Sequence, residues 1–212
     1  QKTAYEIPKR DWSSDVCSSD LGLRLAWTRW HATARGEAAS VAPREPESVA
    51  VVRWDNEAWT VEGTLGADDA QYVLRLGADW RVQQCLLFRD LPTPDLWLGT
   101  DGRGRWGEVN GAHRPELAGC ELVEFAASPF HHGVAVRGGA PGALEVGGAA
   151  TVRTARIDVE TLGVLVVERT YVRTGATTWR WTSATTGDEV DATVDAHGFV
   201  RDEPGAWRRV GD

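Results

Sequence analysis

The sequence has few cysteines, no long apolar runs and no excess of basic residues. It has only three cysteines, and one of them, Cys17, lies in a polar leader. Cys85 and Cys120 are too few for a disulfide scaffold and indicate buried thiols in a reducing compartment, so a cytoplasmic protein is expected. No run approaches the roughly 20 apolar residues of a membrane helix. The 31 acidic residues outnumber the 23 basic ones, which argues against nucleic acid or an anionic membrane as partner.

The first 21 residues do not have the features of a folded segment. Residues 1–21 lack hydrophobic periodicity and the apolar centre of a signal peptide. The run DWSSDVCSSDL resembles the in-frame translation of a sequencing-library adapter. We therefore expect residues 1–21 to be an artefactual leader. In that case a natural N-terminus, with any export signal, would be missing from the sequence.

The composition changes near residue 47. Residues 22–46 are rich in alanine, arginine and glutamate and end in PREP. This composition predicts a linker or disordered segment, in which residues 23–30 have the character of a short strand. From residue 47 to residue 212 the sequence predicts a single β domain.

Strand patterns dominate that domain. SVAVVRW and WTVEGTL flank Asp55-Asn56-Glu57, which predicts a hairpin. Near the C-terminus, ATVRTARIDVE, GVLVVERTYVRT, TTWRWTS and EVDATVD alternate with a period of two and are separated by turns. No window has a sustained helical period, and residues 116–124 are the best weak candidate. The pattern predicts roughly ten to twelve antiparallel strands in an all-β spiral roll or curved, barrel-like sheet.

The sequence contains eleven tryptophans, and eight of them lie in residues 47–212. Many alternate with charged residues at strand spacing, which indicates aromatic faces packed against the sheet. Large curved sheets commonly enclose an apolar cavity. A Tyr-Val…Trp-Arg pattern recurs at residues 72–81 and 171–180. It is compatible with two related halves and equally with chance similarity between hairpins.

Catalytic and metal-binding patterns are sparse. His131-His132 is the most suggestive pair, but the spacings of a zinc site are absent, so neither a metal nor a cofactor is predicted. Ser128 lies near His131 and Glu124, yet no nucleophile elbow surrounds it.

Three charged residues lie within otherwise apolar strands, namely Glu124, Glu168 and Arg169. The simpler interpretation turns their side chains into solvent. The alternative pairs one of them with Arg137 inside a cavity, because a buried charge requires a partner.

Four stretches resemble a bacterial family named putative glycolipid-binding proteins. They are TDGRGRWGEVNG with PELAGCELVEF, then SPFHHGVAVR, VERTYVR and VDAHGFVRDEPGAWRR, and the resemblance covers residues 48–209. It implies an all-β spiral roll with two related halves, and a role in binding glycolipid or another amphipathic molecule. The sequence departs from the family pattern at Ser128, His132, Ala135, Gly138, Glu168 and Glu203.

The resulting hypothesis is a non-enzymatic protein that binds a lipid-like or glycolipid ligand in an aromatic-lined concavity. The residues expected to form the site are Trp106, Phe130, His132, Arg137, Glu168, Tyr171 and Trp207. Arg137 is the candidate for contacting an anionic or hydroxylated head group, because its planar guanidinium makes directional hydrogen bonds.

Two alternatives remain open at this stage. The first is an interaction or structural protein with no small-molecule ligand, whose aromatic surface meets a partner. The second is a hydrolase-type enzyme that uses Glu124 or Glu168 with His131 or His132. The sequence does not fix the ligand, the pathway or the oligomeric state.

Overall fold

A computed structural model describes residues 22–29, 45–66, 70–90, 92–183 and 187–211. The leader expected at residues 1–21 and most of the linker expected at residues 22–46 lie outside these ranges. The described residues form one large, curved and unclosed sheet.

The elements of the described residues are as follows. The strands are β1 (Leu23–Arg29), β2 (Ser48–Asp55), β3 (Ala58–Leu65), β4 (Ala70–Leu76), β5 (Val82–Phe88), β6 (Leu96–Thr100), β7 (Trp106–Glu108), β8 (Leu122–Phe125), β9 (Ala149–Ile157), β10 (Val164–Arg173), β11 (Thr178–Ser183), β12 (Glu189–Val194), β13 (Val200–Glu203) and β14 (Trp207–Arg209). A 3-10 helix spans Pro115–Leu117, and the α-helices are α1 (Phe130–Arg137) and α2 (Gly139–Gly142).

The strand order is β7-β6-β5-β4-β3-β2-β1-β14-β13-β12-β11-β10-β9-β8. Every paired neighbour in the described sheet is antiparallel except β8 and β9, which are parallel. The predicted all-β roll is confirmed, with fourteen strands where ten to twelve were predicted. Several additional strands are short, and β7 and β14 have only three residues each, too few to show a period of two.

Alternation of buried and exposed side chains explains the individual strands. In β4, Ala70, Tyr72, Leu74 and Leu76 are buried and the residues between them are not. This pattern places one face of the strand on the interior of the roll. The predicted turn after β2 is confirmed, since Asn56 and Glu57 both have positive φ, at 49° and 60°, as a two-residue hairpin loop with primed geometry requires.

Strand β1 corrects the linker predicted for residues 22–46. It pairs with β2 on one side and with β14 on the other, and Leu25, Ala26 and Trp27 are buried. The segment was hard to recognise because one of its partner strands lies at the far end of the chain. Local sequence carries no signal of that pairing.

Helix α1 occupies the segment around His131-His132, where the sequence predicted no helix. Six of its eight residues are buried, including both histidines. A helix buried on most of its surface lacks the alternation of polar and apolar faces that would reveal it in the sequence. The 3-10 helix Pro115–Leu117 overlaps the start of the weak helical candidate at residues 116–124, and α2 lies outside that candidate. Among the described residues, no helix has the length and hydropathy needed to cross a membrane.

The sheet curls over its own interior. Phe125 on edge strand β8 packs against Tyr72 of β4, with ring centroids 4.9 Å apart, although these strands are far apart in the strand order. Helix α1 packs inside the curl, where Phe130 stacks on Phe199 at 5.6 Å and meets Trp27 of β1 edge-on at 6.5 Å. The helix therefore fills the core of the roll.

We expect Gly63→Ala to lower the free energy of unfolding by about 1–3 kcal/mol, the usual cost of overpacking. A Cβ on Gly63 would overlap the Val49 carbonyl oxygen and lie 2.5 Å from the Tyr72 ring. Gly99→Ala is the matched control, because its nearest new contact is 3.8 Å away. Urea denaturation measures both variants. Equal losses of stability would contradict the close packing described here.

Candidate functional site

A continuous series of aromatic rings leads from the surface into the roll. We call Trp54, Trp59, Trp80, Phe199 and Phe130 the aromatic stripe. Successive ring centroids lie 4.9, 4.9, 5.8 and 5.6 Å apart. Trp54 is 52% exposed, whereas Phe199 and Phe130 are buried. The stripe thus joins an open aromatic surface to the interior.

Tight local structure positions the outer part of the stripe. Trp54 and Trp59 are direct cross-strand partners of β2 and β3, so their rings lie on the same face. Trp80 lies in the β4–β5 turn with φ of 64°, a conformation that a bulky side chain rarely adopts. Gly138 allows α1 to approach this turn, because a Cβ there would be 2.7 Å from the Asp79 carbonyl oxygen and from the Trp80 Cβ. Strain of this kind persists only where the surroundings hold it.

Arg137 covers the middle of the stripe. Its guanidinium carbon lies 4.1 Å from the Trp80 ring centroid and 5.4 Å from that of Phe199, and Nη1 donates to the His197 carbonyl oxygen. This is a cation–π arrangement on an aromatic surface. Two buried donors nearby, Arg137 Nε and Trp59 Nε1, have no hydrogen-bond partner among the described residues.

A second group of side chains is polar and deeply buried. We call Glu124, His131, His132, Arg169, Tyr171 and Glu203 the interior cluster. Arg169 donates two hydrogen bonds to Glu124, at 2.7 and 2.5 Å. His131 Nε2 lies 3.6 Å from Glu124 Oε2, and Arg156 Nε lies 3.6 Å from Glu124 Oε1. Glu124 is thus the centre of one half of the cluster.

His132 is the centre of the other half. Its Nδ1 lies 3.1 Å from the Tyr171 hydroxyl, and its Nε2 lies 3.7 Å from Glu203 Oε1. The ring stacks on Trp181 at 4.0 Å, and the Trp181 indole donates to the same Glu203 oxygen at 3.0 Å. The His131 and His132 rings are 3.8 Å apart and join the two halves.

Sheet register explains why these residues meet. Glu124 on β8 pairs with Arg156 on β9, and Arg169 and Tyr171 are two positions apart on β10. Side chains two positions apart on a strand share a face, and here it is the inner face. Helix α1 then places His131 and His132 against that face.

Burial sets the protonation of the two histidines. It lowers the pKa of His131 to about 4, because the opposing effect of Glu124 is smaller. Burial also lowers the pKa of His132 well below its ordinary value, and the neighbouring His131 and Arg169 lower it further. Both rings are therefore neutral at neutral pH.

The pKa values of Glu203 and Glu124 shift in opposite directions. Burial raises the pKa of Glu203, although the Trp181 hydrogen bond opposes it. Burial also raises the pKa of Glu124, but His131 and the neighbouring arginines have a larger combined effect and hold it below its ordinary value. Buried groups with opposed shifts are a common property of functional sites.

The structure distributes the seven predicted site residues over several places. Phe130 and Arg137 join the aromatic stripe, and His132 and Tyr171 join the interior cluster. Trp207 borders this cluster as the cross-strand partner of Glu203.

Two other predicted residues lie elsewhere. Trp106 lies on edge strand β7 and lines a separate pocket of about 170 Å³. Glu168 is exposed on β10.

The solvent-facing interpretation of the charged strand residues is wrong for two of them. Glu124 and Arg169 are paired with each other inside the roll, not with Arg137. Glu203, which the sequence marked only as a departure from the family pattern, is a member of the cluster, as is the predicted site residue His132. The position of Glu124 and Arg169 within otherwise apolar strands was the one signal in the sequence that indicated a buried, paired charge. Nothing local marks Glu203.

The enzyme alternative finds partial geometric support. His131 and Glu124 do meet, but Glu168 does not join them. The Ser128 hydroxyl accepts hydrogen bonds from the Ser48 hydroxyl at 2.7 Å and from the Phe130 backbone N–H at 3.2 Å. Neither bond involves the His131 ring. Within the described ranges, no group of three or more His, Cys, Asp or Glu side chains is arranged to hold a metal ion.

We expect Glu124→Ala to cost about 3–5 kcal/mol of stability, because it leaves Arg169 largely buried without its carboxylate. Asp191→Ala is the matched control. Arg180 also binds Asp191 with two hydrogen bonds, at 2.7 and 2.9 Å, but on the surface, where such pairs contribute little to stability. Chemical denaturation compares the two losses. Similar small losses of stability in the two variants would show that the Glu124–Arg169 pair is exposed to solvent.

We also expect stability to fall as the pH drops from about 6.5 to about 4. The folded-state pKa of His131, about 4, lies below its ordinary value of 6.5, so the unfolded chain binds more protons in this window and acid favours unfolding. The pKa of Glu203 is raised in the folded state, so its contribution to stability grows as the pH falls, opposite to that of His131. Equilibrium unfolding at several pH values should show a shallower dependence for His131→Gln. An unchanged slope would refute a neutral buried His131.

Comparisons with known proteins agree with the fold described above. The family described as "Putative glycolipid-binding" matches residues 24–209, which includes most of β1. A crystal structure of a DUF1089 family protein from Pseudomonas aeruginosa is similar in fold, with a TM-score of 0.65 and 22% sequence identity, over 84% of this chain and 100% of that one. No curated protein sequence matches the chain. The family match covers far more than half of the sequence, and the chain therefore belongs to the putative glycolipid-binding family.

Proposed function

We propose that this protein binds an amphipathic, glycolipid-like ligand on the aromatic stripe and does not transform it. The observation that carries the proposal is the exposure of Trp54 at the outer end of a series of rings that becomes buried towards Phe199 and Phe130. The family description supports the ligand class.

The chemistry of the stripe suits a ligand with both apolar and hydroxylated parts. Tryptophan faces offer a large apolar area with a polar N–H at the ring edge. The Arg137 guanidinium and the Trp59 indole contribute N–H groups with no partner in the described structure. A few convergent polar groups beside apolar rings are the usual composition of a small-molecule site.

Charges around the outer end are balanced. Arg75 lies 3.7 Å from Asp55, and Arg81 lies 3.3 Å from Asp79. These pairs leave no strong field of one sign at the exposed ring. Of the head groups considered for Arg137, a neutral hydroxylated group therefore fits better than an anionic one.

A series of three eight-carbon amphiphiles tests the proposal: octyl glucoside, octyl sulfate and octyltrimethylammonium, each below its micelle concentration. Isothermal titration calorimetry on the full chain should show the tightest binding for octyl glucoside. Trp54→Ala should weaken it by about tenfold, which corresponds to about 1.4 kcal/mol. Trp97→Ala is the control, because Trp97 lies half-buried on β6, away from the stripe.

Each remaining outcome identifies an alternative. Equal binding of all three amphiphiles, insensitive to Trp54→Ala, would mean nonspecific apolar contact and would refute the site. No binding of any amphiphile would favour an interaction protein whose partner covers Trp54. Native mass spectrometry of protein purified from cells would detect a co-purifying lipid directly.

A further inference from the structure

The interior cluster contains polar atoms that the protein itself does not satisfy. Glu203 Oε2 and His131 Nε2 are buried and have no hydrogen-bond partner in the part of the chain that the structure describes. Their residues are only 6% and 7% exposed. Leaving such a group unsatisfied lowers stability, and native structures rarely do so without a reason such as a bound partner.

The geometry identifies what His131 lacks. Its Nδ1 lies 3.1 Å from the Ser128 carbonyl oxygen, which can only accept a hydrogen bond. Nδ1 therefore carries the proton, and in the neutral ring Nε2 presents a lone pair. This lone pair faces Glu124 Oε2, another acceptor, at 3.6 Å. Two acceptors face each other, so a partner that donates hydrogen bonds is required.

Glu203 has a related requirement. Its Oε1 accepts from Trp181, while Oε2 can accept as a carboxylate or donate as a carboxylic acid. A hydroxyl group satisfies Oε2 in either state, because a hydroxyl both donates and accepts. A carbonyl or an ammonium group would satisfy only one of the two.

The charges around the cluster favour a neutral partner. Arg169 binds Glu124 directly and Arg156 lies 3.6 Å from it, so two guanidinium groups oppose a cation. Glu124 and Glu203 oppose an anion from the other side. Of the donor groups found in small molecules, the hydroxyl fits both the charge and the hydrogen-bonding pattern.

The Arg156 side chain borders the cluster at the end of the roll away from Trp54. The Arg156 side chain is 35% exposed, so Glu124 is separated from solvent there by a long and flexible side chain. Ser48, at the first position of β2, bonds to Ser128 next to α1, whereas Trp54 lies near the last position of the same strand. The cluster and the exposed end of the stripe are therefore reached from opposite ends.

We propose that the interior cluster is a second binding site, which takes a small neutral polyol whose hydroxyl groups bond to His131 Nε2 and Glu203 Oε2. Trp181, which stacks on His132 and donates to Glu203, holds both of these side chains in place. The Arg156 side chain moves aside to admit the molecule. The site is independent of ligand binding on the aromatic stripe.

Erythritol and its tetramethyl ether test the proposal on the full chain. The ether keeps every oxygen acceptor but has no hydroxyl donor. Long-range ¹⁵N NMR of the histidine side chains should show saturable shifts of His131 and His132 with erythritol, with a Kd on the order of 1 mM. The ether should produce none. Equal shifts with both probes, shifts that never saturate, or a bridging water that erythritol does not displace would each overturn the proposal.

Three variants separate the possible results. Glu203→Gln keeps the size of the side chain and should weaken erythritol binding at least fivefold. Arg156→Ala leaves the buried groups in place and should speed exchange of the polyol at least threefold, so it remains informative if Glu203→Gln fails to fold. Trp54→Ala should leave erythritol binding unchanged. Loss of erythritol binding in Trp54→Ala would mean that the sites are not independent and would refute the second site.

Discussion

The insertion of α1 into the curled sheet is the contact on which the rest of the structure depends. A sheet that curls without closing leaves an interior that must be filled. Helix α1 fills it with Phe130, Val134 and Ala135, which are buried. Gly133 lies so close to the Phe199 ring that a Cβ there would collide with it. Phe130 is therefore held between Trp27 of β1 and Phe199, which directly precedes β13.

The two proposed sites are consequences of that one insertion. Phe130 and Arg137 lie at the two ends of α1 and contact the aromatic stripe, while His131 and His132 contact the interior cluster. The topology also requires a segment of this kind. Parallel strands such as β8 and β9 cannot be joined by a tight hairpin and need a longer crossover, and α1 with α2 lies within it.

The sequence allowed the sheet to be predicted far better than the site. Period-two patterns, and turns such as Asn56-Glu57, are local signals, and they led to the correct fold class. Strand β1 was predicted only as a short strand within a linker, because its place in the sheet depends on β14. Helix α1 was missed because burial on most sides removes its amphipathic pattern. The pairing of Glu124 with Arg169 depends on the register of β8, β9 and β10. No window of the sequence contains that register.

The pairing of β1 with β14 also constrains how the chain can fold. Trp27 pairs with Arg209, so the middle of the sheet is completed only when the two ends of the described chain meet. Contacts between residues so far apart in sequence form slowly, because a long loop must close first. During synthesis β1 emerges before β14 and keeps an open edge until β14 has been made. An open edge can pair with other chains, so β14 protects the middle of the sheet from aggregation.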